Sequence, residues 1–350
     1  MTAPVAEWGR RLSDAVRDAL DARDLATARR LVVEGDGQAR DLAKEYALMY
    51  RGLGITLRVI VRLLRQTAAA APASERATAE AELAALLRRF RGDMAGLMAE
   101  AYGAAGPVAA DDASSDVGIE AERTEHLLAA GEDLFDRDQA RLAAEVVHAL
   151  DAGDGSLARA LVDAKEGGQY VPLHDRLIRF MAESFGWVLR RFGPAALLRF
   201  HLATAEGQRR GFEKWERMPA DEFAWASAFL LKQHMGRVAV REDAEKFTIE
   251  QAPCGSGGRL RLAGAYEGPD ALPLVEGPGP LTLGQRRFPV YCSHCPVWNA
   301  VATIQWFGRP HWVFEDASRP DGSCTLHVYK RRDGAPRAYS ALVAVAGETR

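Results

Sequence analysis

Apolar residues return every three or four positions from position 7 to about position 235, and this spacing limits the folds open to the chain more than any other feature. It is typical of amphipathic α-helices, and the region is rich in the helix-favouring residues Ala, Leu, Arg and Glu. After Gly236, Pro and Gly become dense and short alternating runs replace the helical ones. The sequence therefore predicts an α+β protein, with an all-α N-terminal region followed by a small α+β domain.

Two stretches of the helical region match one another at a constant offset. They are residues 16–32 (VRDALDARDLATARRLV) and 146–162 (VVHALDAGDGSLARALV). Asp24 and Asp154 hold equivalent positions, where a helix N-cap belongs. The match predicts a duplicated helical unit, with residues 103–118, rich in Gly, Pro, Ser and Asp, as the linker. The expected domains are helical repeat 1 (1–110), helical repeat 2 (119–235) and a cysteine-rich α+β domain (236–350).

Length and charge narrow the classes of function. The 350 residues exceed the size of a single core, so two or three domains are expected. The chain has 45 Lys and Arg residues against 48 Asp and Glu residues. It therefore has no excess of positive charge that would attract nucleic acid or an anionic membrane. Neither a secretory signal nor a membrane span is expected, because the N-terminal residues lack an apolar stretch and the longest apolar helix pattern carries Arg58 and Arg62. We expect a cytoplasmic protein.

Beyond Gly236 the short runs predict a set of strands separated by Pro-rich and Gly-rich loops. The strands are expected at Lys246–Gln251, 258–262, 288–291, 311–315 and 325–330. One helix is predicted at 297–306 inside this domain, and another at 219–236 that packs onto it.

All four cysteines of the chain fall in this domain, at Cys254, Cys292, Cys295 and Cys324. Cys292 and Cys295 form a Cys-x-x-Cys pair, which supplies two thiolates from one tight turn. The other two stand beside predicted strand ends, so three chain segments can converge on one ion. Tetrahedral zinc takes four such donors at roughly 2.3 Å, and we predict a zinc site, with iron or an iron–sulfur cluster as the alternative. Glycine amides and Arg259 are expected to offset the thiolate charge.

The role of these cysteines stays open at this stage. They can equally be a catalytic or redox thiol without metal, or unrelated buried residues. Four cysteine ligands would close the coordination sphere and make the site structural, whereas a catalytic site needs an open position for water or substrate. His294 lies inside the turn, where its ring would point away from the ion and act as a proton donor or acceptor in an adjoining pocket, or else be solvated.

Aromatic and charged residues near the cysteines predict a pocket for a small polar molecule. Trp298 and Trp312 offer aromatic walls, and Glu315 and Lys330 offer charges that orient a ligand. Ordinary core packing is the alternative explanation of the aromatic residues.

Three motifs carry a resemblance to known families: PCGSGGRL (253–260), YCSHC (291–295) and CTLHVYK (324–330). They resemble a group of uncharacterised bacterial proteins that join a helical N-terminal region to this cysteine-rich module. In layout, the segment is also similar to the small-molecule-binding domain named after 4-vinyl reductase and to the L-2-amino-thiazoline-4-carboxylic acid hydrolase-like family. The resemblance implies an α+β module that binds a small organic molecule, with hydrolysis of a C–N or C–S bond as one activity and Cys324 as the candidate reactive thiol.

The sequence thus supports two functional hypotheses. In the first, the protein is a metalloenzyme that hydrolyses a small polar metabolite, with zinc polarising water or a carbonyl and His294 carrying the proton. In the second, it is a non-catalytic small-molecule sensor or interaction module with a structural four-cysteine zinc site. A small-molecule ligand or substrate is the expected partner in both, a homodimer is left open, and no nucleic-acid partner is expected.

Overall fold

The chain folds into a mixed α+β structure, in which long helices are followed by a small four-stranded sheet. The computed structural model describes residues 3–103 and 114–343. Contacts divide the chain into two compact units: a helical unit of residues 10–180, and a sheet unit of residues 3–9 together with 181 onward. Within the described ranges, no helix is both long enough and apolar enough to cross a membrane.

The helical unit is a bundle whose helices bury the apolar stripes seen in the sequence. Its helices are α1 (Leu12–Asp21), α2 (Leu25–Glu34), α3 (Ala47–Ala69), α4 (Ala73–Tyr102), α5 (Val117–Asp151), α6 (Gly155–Asp163) and the first part of α7 (Val171–Glu206). A π-helical segment, Ala164–Tyr170, joins α6 to α7. Phe90 of α4 and Phe180 of α7 are fully buried and stack with ring centroids 3.9 Å apart. The predicted helical character is confirmed, and most of the predicted linker, residues 104–113, lies outside the described residues.

The two matched stretches form the same local structure. Asp24 caps α2 by accepting a hydrogen bond from the amide of Thr27 at 2.9 Å, and Asp154 caps α6 by accepting one from the amide of Leu157 at 2.8 Å. Their backbone angles agree closely, with φ of −92° at both and ψ of 79° and 80°. The predicted N-caps are therefore confirmed at both positions.

Ion pairs between the two stretches are reciprocal. Arg29 of the first bonds Asp151 of the second at 2.6 Å, and Arg159 of the second bonds Asp21 of the first at 2.6 Å. Arg29 and Arg159 are equivalent in the sequence match, and so are Asp21 and Asp151. Equivalent positions of the two stretches are thus paired in both directions.

The two caps give a first prediction. Asp24→Ala and Asp154→Ala should each lower the urea midpoint of unfolding by a similar small amount, on the order of 0.2–0.5 M, because each leaves an amide at a helix start without its acceptor. Far-UV circular dichroism would follow the transition. Asp133→Ala, at an exposed position in the middle of α5, is the matched control and should leave the midpoint unchanged. An equal drop in the control would remove the capping explanation.

The sheet unit builds its core on an antiparallel sheet. Its strands are β1 (Val238–Glu242), β2 (Lys246–Gln251), β3 (Leu274–Glu276), β4 (Arg287–Pro289), β5 (Val313–Asp316) and β6 (Cys324–Tyr329), and its helices after α7 are α8 (Arg209–Glu216), α9 (Ala220–Gln233), α10 (Gly257–Leu262), α11 (His294–Pro296), α12 (Ala302–Phe307) and α13 (Arg337–Val343). The four-stranded sheet has the order β1-β2-β6-β5, and β3 pairs with β4 in a separate ribbon. Phe247 and Ile249 of β2 are buried beside Leu326 and Val328 of β6. Helix α9 contacts β1, β2 and β6, as its sequence predicted.

The short runs beyond Gly236 were interpreted correctly in most places and wrongly in one. The strand predicted at Lys246–Gln251 is β2 to the residue, and those predicted at 288–291, 311–315 and 325–330 overlap β4, β5 and β6. The strand predicted at 258–262 is wrong, because these residues form α10. The amide of Arg259 bonds the carbonyl of Cys254 at 3.0 Å, so the turn after β2 winds directly into a helix. The predicted helix at 297–306 is confirmed as a π-helical segment, Val297–Val301, that continues into α12.

Candidate metal centre

Sheet register brings two of the three cysteine segments together. Cys324 is the first residue of β6 and pairs with Gln251, the last residue of β2. The chain turns immediately after β2, and the amide of Cys254 in that turn bonds the carbonyl of Gly322 at 2.9 Å. Cys254 and Cys324 therefore lie on adjacent segments at the same end of the sheet.

Glycines let the third segment approach. A Cβ atom at Gly257 would lie 2.7 Å from the Sγ of Cys292, and one at Gly258 would lie 2.2 Å from the carbonyl oxygen of Gly322. Real Cβ atoms do not come this close, so any side chain at these positions would push the segments apart. Gly257 is thus required for the close approach of the turn that holds Cys292 and Cys295, and Gly258 for that of the segment before Cys324.

The four thiols are free and interact electrostatically. Burial raises the pKa of Cys295, and the nearby Cys292, Cys254 and Cys324 raise it further. Burial likewise raises the pKa of Cys324, with Cys254 and Cys292 as the next causes. Neighbouring thiols thus disfavour ionisation of Cys295 and of Cys324, which is the pattern expected where several thiolates would share one space.

Arg261 supplies positive charge at this site. Its Nη1 donates to the Sγ of Cys292 at 3.2 Å, and its Nη2 donates to the carbonyl of Arg319 at 3.2 Å. Burial raises the pKa of Cys292, and Arg261 opposes that shift. The sequence points to Arg259 for this role, which stays a prediction, and the structure adds Arg261 of α10 as a donor to the sulfur.

The thiols do not form a ready-made ligand cage. Across residues 3–103 and 114–343, no group of three or more His, Cys, Asp or Glu side chains is placed so that it could hold a metal ion. The chemistry of the donor set is nevertheless that of zinc, because four sulfur donors suit a tetrahedral ion at roughly 2.3 Å. Metal binding would therefore require the thiol rotamers to turn toward a common point while the backbone segments stay close.

His294 lies against the thiols. Its Nδ1 is 2.5 Å from the carbonyl oxygen of Tyr291, so the proton sits on Nδ1 and Nε2 is left as an acceptor, 3.5 Å from the Sγ of Cys295. Burial lowers the pKa of His294 to about 4. The ring packs on Tyr291 and Trp298, with centroids 4.7 Å and 4.5 Å away. This histidine is a neutral, buried acceptor at the edge of the cysteine turn.

The four residues predicted to bind substrate are tied into separate contacts. The ring of Trp298 packs against that of His294 in a tilted arrangement, and the indole Nε1 of Trp312 donates to the hydroxyl of Ser227 on α9 at 3.0 Å. Glu315 accepts a hydrogen bond from His327 at 2.9 Å, and the Nζ of Lys330 donates to Glu242 at 2.7 Å. Among these contacts, that of Trp298 with His294 reaches the cysteine turn, and a common pocket for the four residues stays a prediction.

One contact of the cysteine turn escaped the sequence analysis. His201 of α7 donates through Nε2 to the hydroxyl of Ser293 at 2.8 Å, and Ser293 donates in turn to the carbonyl of Val290 at 2.7 Å. His201 is fully buried, and burial lowers its pKa well below the usual value. This neutral histidine fixes the turn that carries Cys292. No local signal marks it, because it lies more than ninety positions earlier in the chain.

Searches with family models, among curated proteins and among solved structures find no match to this chain.

Proposed function

We propose that this protein binds one zinc ion through Cys254, Cys292, Cys295 and Cys324, and that the ion is structural. The observation that carries the proposal is the close approach of the three chain segments that hold these cysteines: Cys324 pairs with the end of β2, the amide of Cys254 bonds Gly322, and Gly257 packs against the Sγ of Cys292. Neighbouring thiols raise the pKa of Cys295 and of Cys324, and a shared cation would relieve that repulsion as the thiols release their protons to solvent.

The surroundings favour a closed site over a hydrolytic one. Four cysteine ligands complete the tetrahedron and leave no position for water or substrate. His294 has its Nδ1 engaged by the Tyr291 carbonyl and a pKa of about 4, so it is a poor proton carrier near neutral pH. The geometry therefore supports the interaction or sensor module more than the hydrolase of a C–N or C–S bond.

In this proposal the helical unit provides the surface or pocket that recognises a partner or small molecule. The reciprocal pairs Arg29–Asp151 and Arg159–Asp21 support a duplicated helical unit with a two-fold axis between its copies. Zinc would hold the cysteine-rich domain in one conformation, while ligand binding takes place elsewhere in the chain.

Metal analysis on anaerobically purified protein tests the proposal. We expect about one zinc per chain, and its loss when Cys292 and Cys295 are both changed to Ser. In competition with a chelator, Cys254→Ser and Cys324→Ser should each release zinc sooner than the unchanged protein. His294→Gln is the matched control from the same turn and should retain zinc, because that ring is not a ligand.

Three outcomes would change the conclusion. If the metal analysis finds iron, with visible absorbance, the site holds a redox-active metal and not zinc. Full zinc content in Cys324→Ser would indicate three ligands and an open fourth position, which reopens hydrolysis with Cys324 or His294. Anaerobically purified protein that is folded, contains no metal and titrates four free thiols would overturn the metal site altogether.

A further inference from the structure

Lys165 lies in an unusual position for an amine. Its side chain is 1% exposed, and its Nζ has no hydrogen-bond partner among the residues that the structure describes. The Nζ lies 4.8 Å from the ring centroid of Tyr46. An unpaired buried ammonium is costly, so a lysine kept in such a place calls for an explanation beyond packing.

The amine is surrounded by groups that exchange protons. Glu166 accepts hydrogen bonds from the hydroxyl of Ser13 at 2.6 Å, the hydroxyl of Tyr46 at 2.8 Å and the guanidinium of Arg17 at 3.2 Å. Glu45 accepts from the amide of Ser13 at 3.0 Å. We call Ser13, Glu45, Tyr46, Lys165 and Glu166 the Lys165 cluster. It lies wholly within the helical unit, and all five side chains are buried.

Burial makes the neutral amine more accessible than it is for an ordinary lysine. Burial lowers the pKa of Lys165 to about 8, although Glu45 and Glu166 act to raise it. At pH 7 a group with that pKa is neutral in roughly one molecule in ten, against fewer than about one in a thousand for an ordinary lysine. Burial also raises the pKa of Glu45, which makes a protonated carboxyl accessible beside the amine.

The choice of lysine at this position is itself informative. Of the 45 Lys and Arg residues, six are lysines, which leaves 39 arginines, so the chain uses Arg for most of its cations. Arg cannot lose its proton in a protein, whereas a desolvated Lys becomes a nucleophile. A purely structural cation at position 165 could be an arginine, so the lysine found there favours a role that uses the neutral amine.

The backbone beside Lys165 offers a route of access. Lys165 lies in the π-helical segment Ala164–Tyr170, and such segments are frequent at functional sites. Gly167 and Gly168 follow on the exposed side, where an added Cβ would meet nothing within 4 Å. Two glycines weaken a helix by about 1 kcal/mol each relative to Ala, so local opening of this segment exposes the amine at low cost.

We propose that Lys165 is a carbonyl-binding residue, whose Nζ forms an imine with a small aldehyde or keto compound held in the Lys165 cluster. The neutral amine attacks the carbonyl carbon, and the carbonyl oxygen takes up a proton to give a carbinolamine. The C–O bond then breaks, that oxygen leaves as water with the two hydrogens of the amine, and a C=N bond remains. The carboxyl groups of Glu45 and Glu166 take the amine proton and return it to the departing oxygen.

Reductive trapping tests this on the full-length protein. Glyoxylate is the probe, added in slight excess with cyanoborohydride near pH 7, and peptide mapping gives the labelling rate of each lysine. We expect Lys165 to be labelled at least tenfold faster than the exposed Lys214. A structural role for Lys165 predicts the reverse order, because burial protects an amine that does not react. Labelling of Lys165 slower than, or equal to, that of Lys214 in folded protein would overturn the proposal.

A matched pair of variants completes the test. Lys232 is also buried, at 3% exposed, and its Nζ also lies over a ring, 5.2 Å from the centroid of Phe229. Lys165→Arg should remove the fast component of total glyoxylate incorporation, and Lys232→Arg should leave that component unchanged. The mapping on the unchanged protein decides the question even if Lys165→Arg fails to fold.

Discussion

Removing the metal from the four-cysteine site should lower the free energy of unfolding of the sheet unit by roughly 8 kcal/mol, for protein kept in free zinc about a million-fold above its dissociation constant. Loss on that scale approaches the whole stability of an ordinary domain. The segments around the cysteines have little regular structure of their own, since α10 has six residues, α11 three, and β3 and β4 three each. Helices this short do not hold without tertiary support, so the metal is expected to supply much of it.

Tryptophan fluorescence isolates this effect. All seven tryptophans lie in the sheet unit, at Trp8, Trp187, Trp215, Trp225, Trp298, Trp306 and Trp312. Urea unfolding followed by fluorescence, with and without a strong chelator, should show a large fall in the midpoint. The variant with Cys292 and Cys295 both changed to Ser is the control, and chelator should not shift its midpoint. Equal midpoints for holo and verified metal-free protein would contradict a structural zinc.

The sequence predicted those helices and strands in which buried residues recur at the regular spacing of one type of element. The long helices and the strand Lys246–Gln251 alternate cleanly between buried and exposed faces, so their patterns identified them. The segment 258–262 is too short for a period to develop, and its glycines serve the close approach to Cys292 rather than a helix or strand preference. Strand β1 was missed, because a single residue of its five, Val240, is buried.

The same distinction applies to the sites. The four cysteines could be singled out because cysteine is rare in this chain and all four fall in one segment. Arg261 depends on the helical winding of α10, which the sequence did not reveal. The Lys165 cluster joins Ser13 to Glu166 across 153 positions, and nothing local sets these residues apart from the many Ser, Glu and Tyr residues of a helical surface. Such groups become visible only when packing shows that they are buried together.

Glu166→Ala should cost about 3–5 kcal/mol of stability, the second large effect that we expect. The change removes the nearest acceptor of the hydroxyls of Ser13 and Tyr46 and a negative charge beside Lys165, all in buried positions. Arg17 provides the matched control, because it bonds both Glu166, whose side chain is 10% exposed, and Asp163, whose side chain is 53% exposed.

Asp163→Ala breaks a solvent-exposed ion pair of the same arginine and should lower the free energy of unfolding by no more than about 1 kcal/mol. Urea unfolding followed by far-UV circular dichroism compares the two variants, and hydrogen exchange of the α1 and α6 peptides confirms that the helical unit is the part affected. Similar losses from both would show that Glu166 acts through Arg17 alone and that the buried hydroxyls contribute little. A large difference would establish the Lys165 cluster as a tightly coupled polar network, which is the setting that a reactive amine requires.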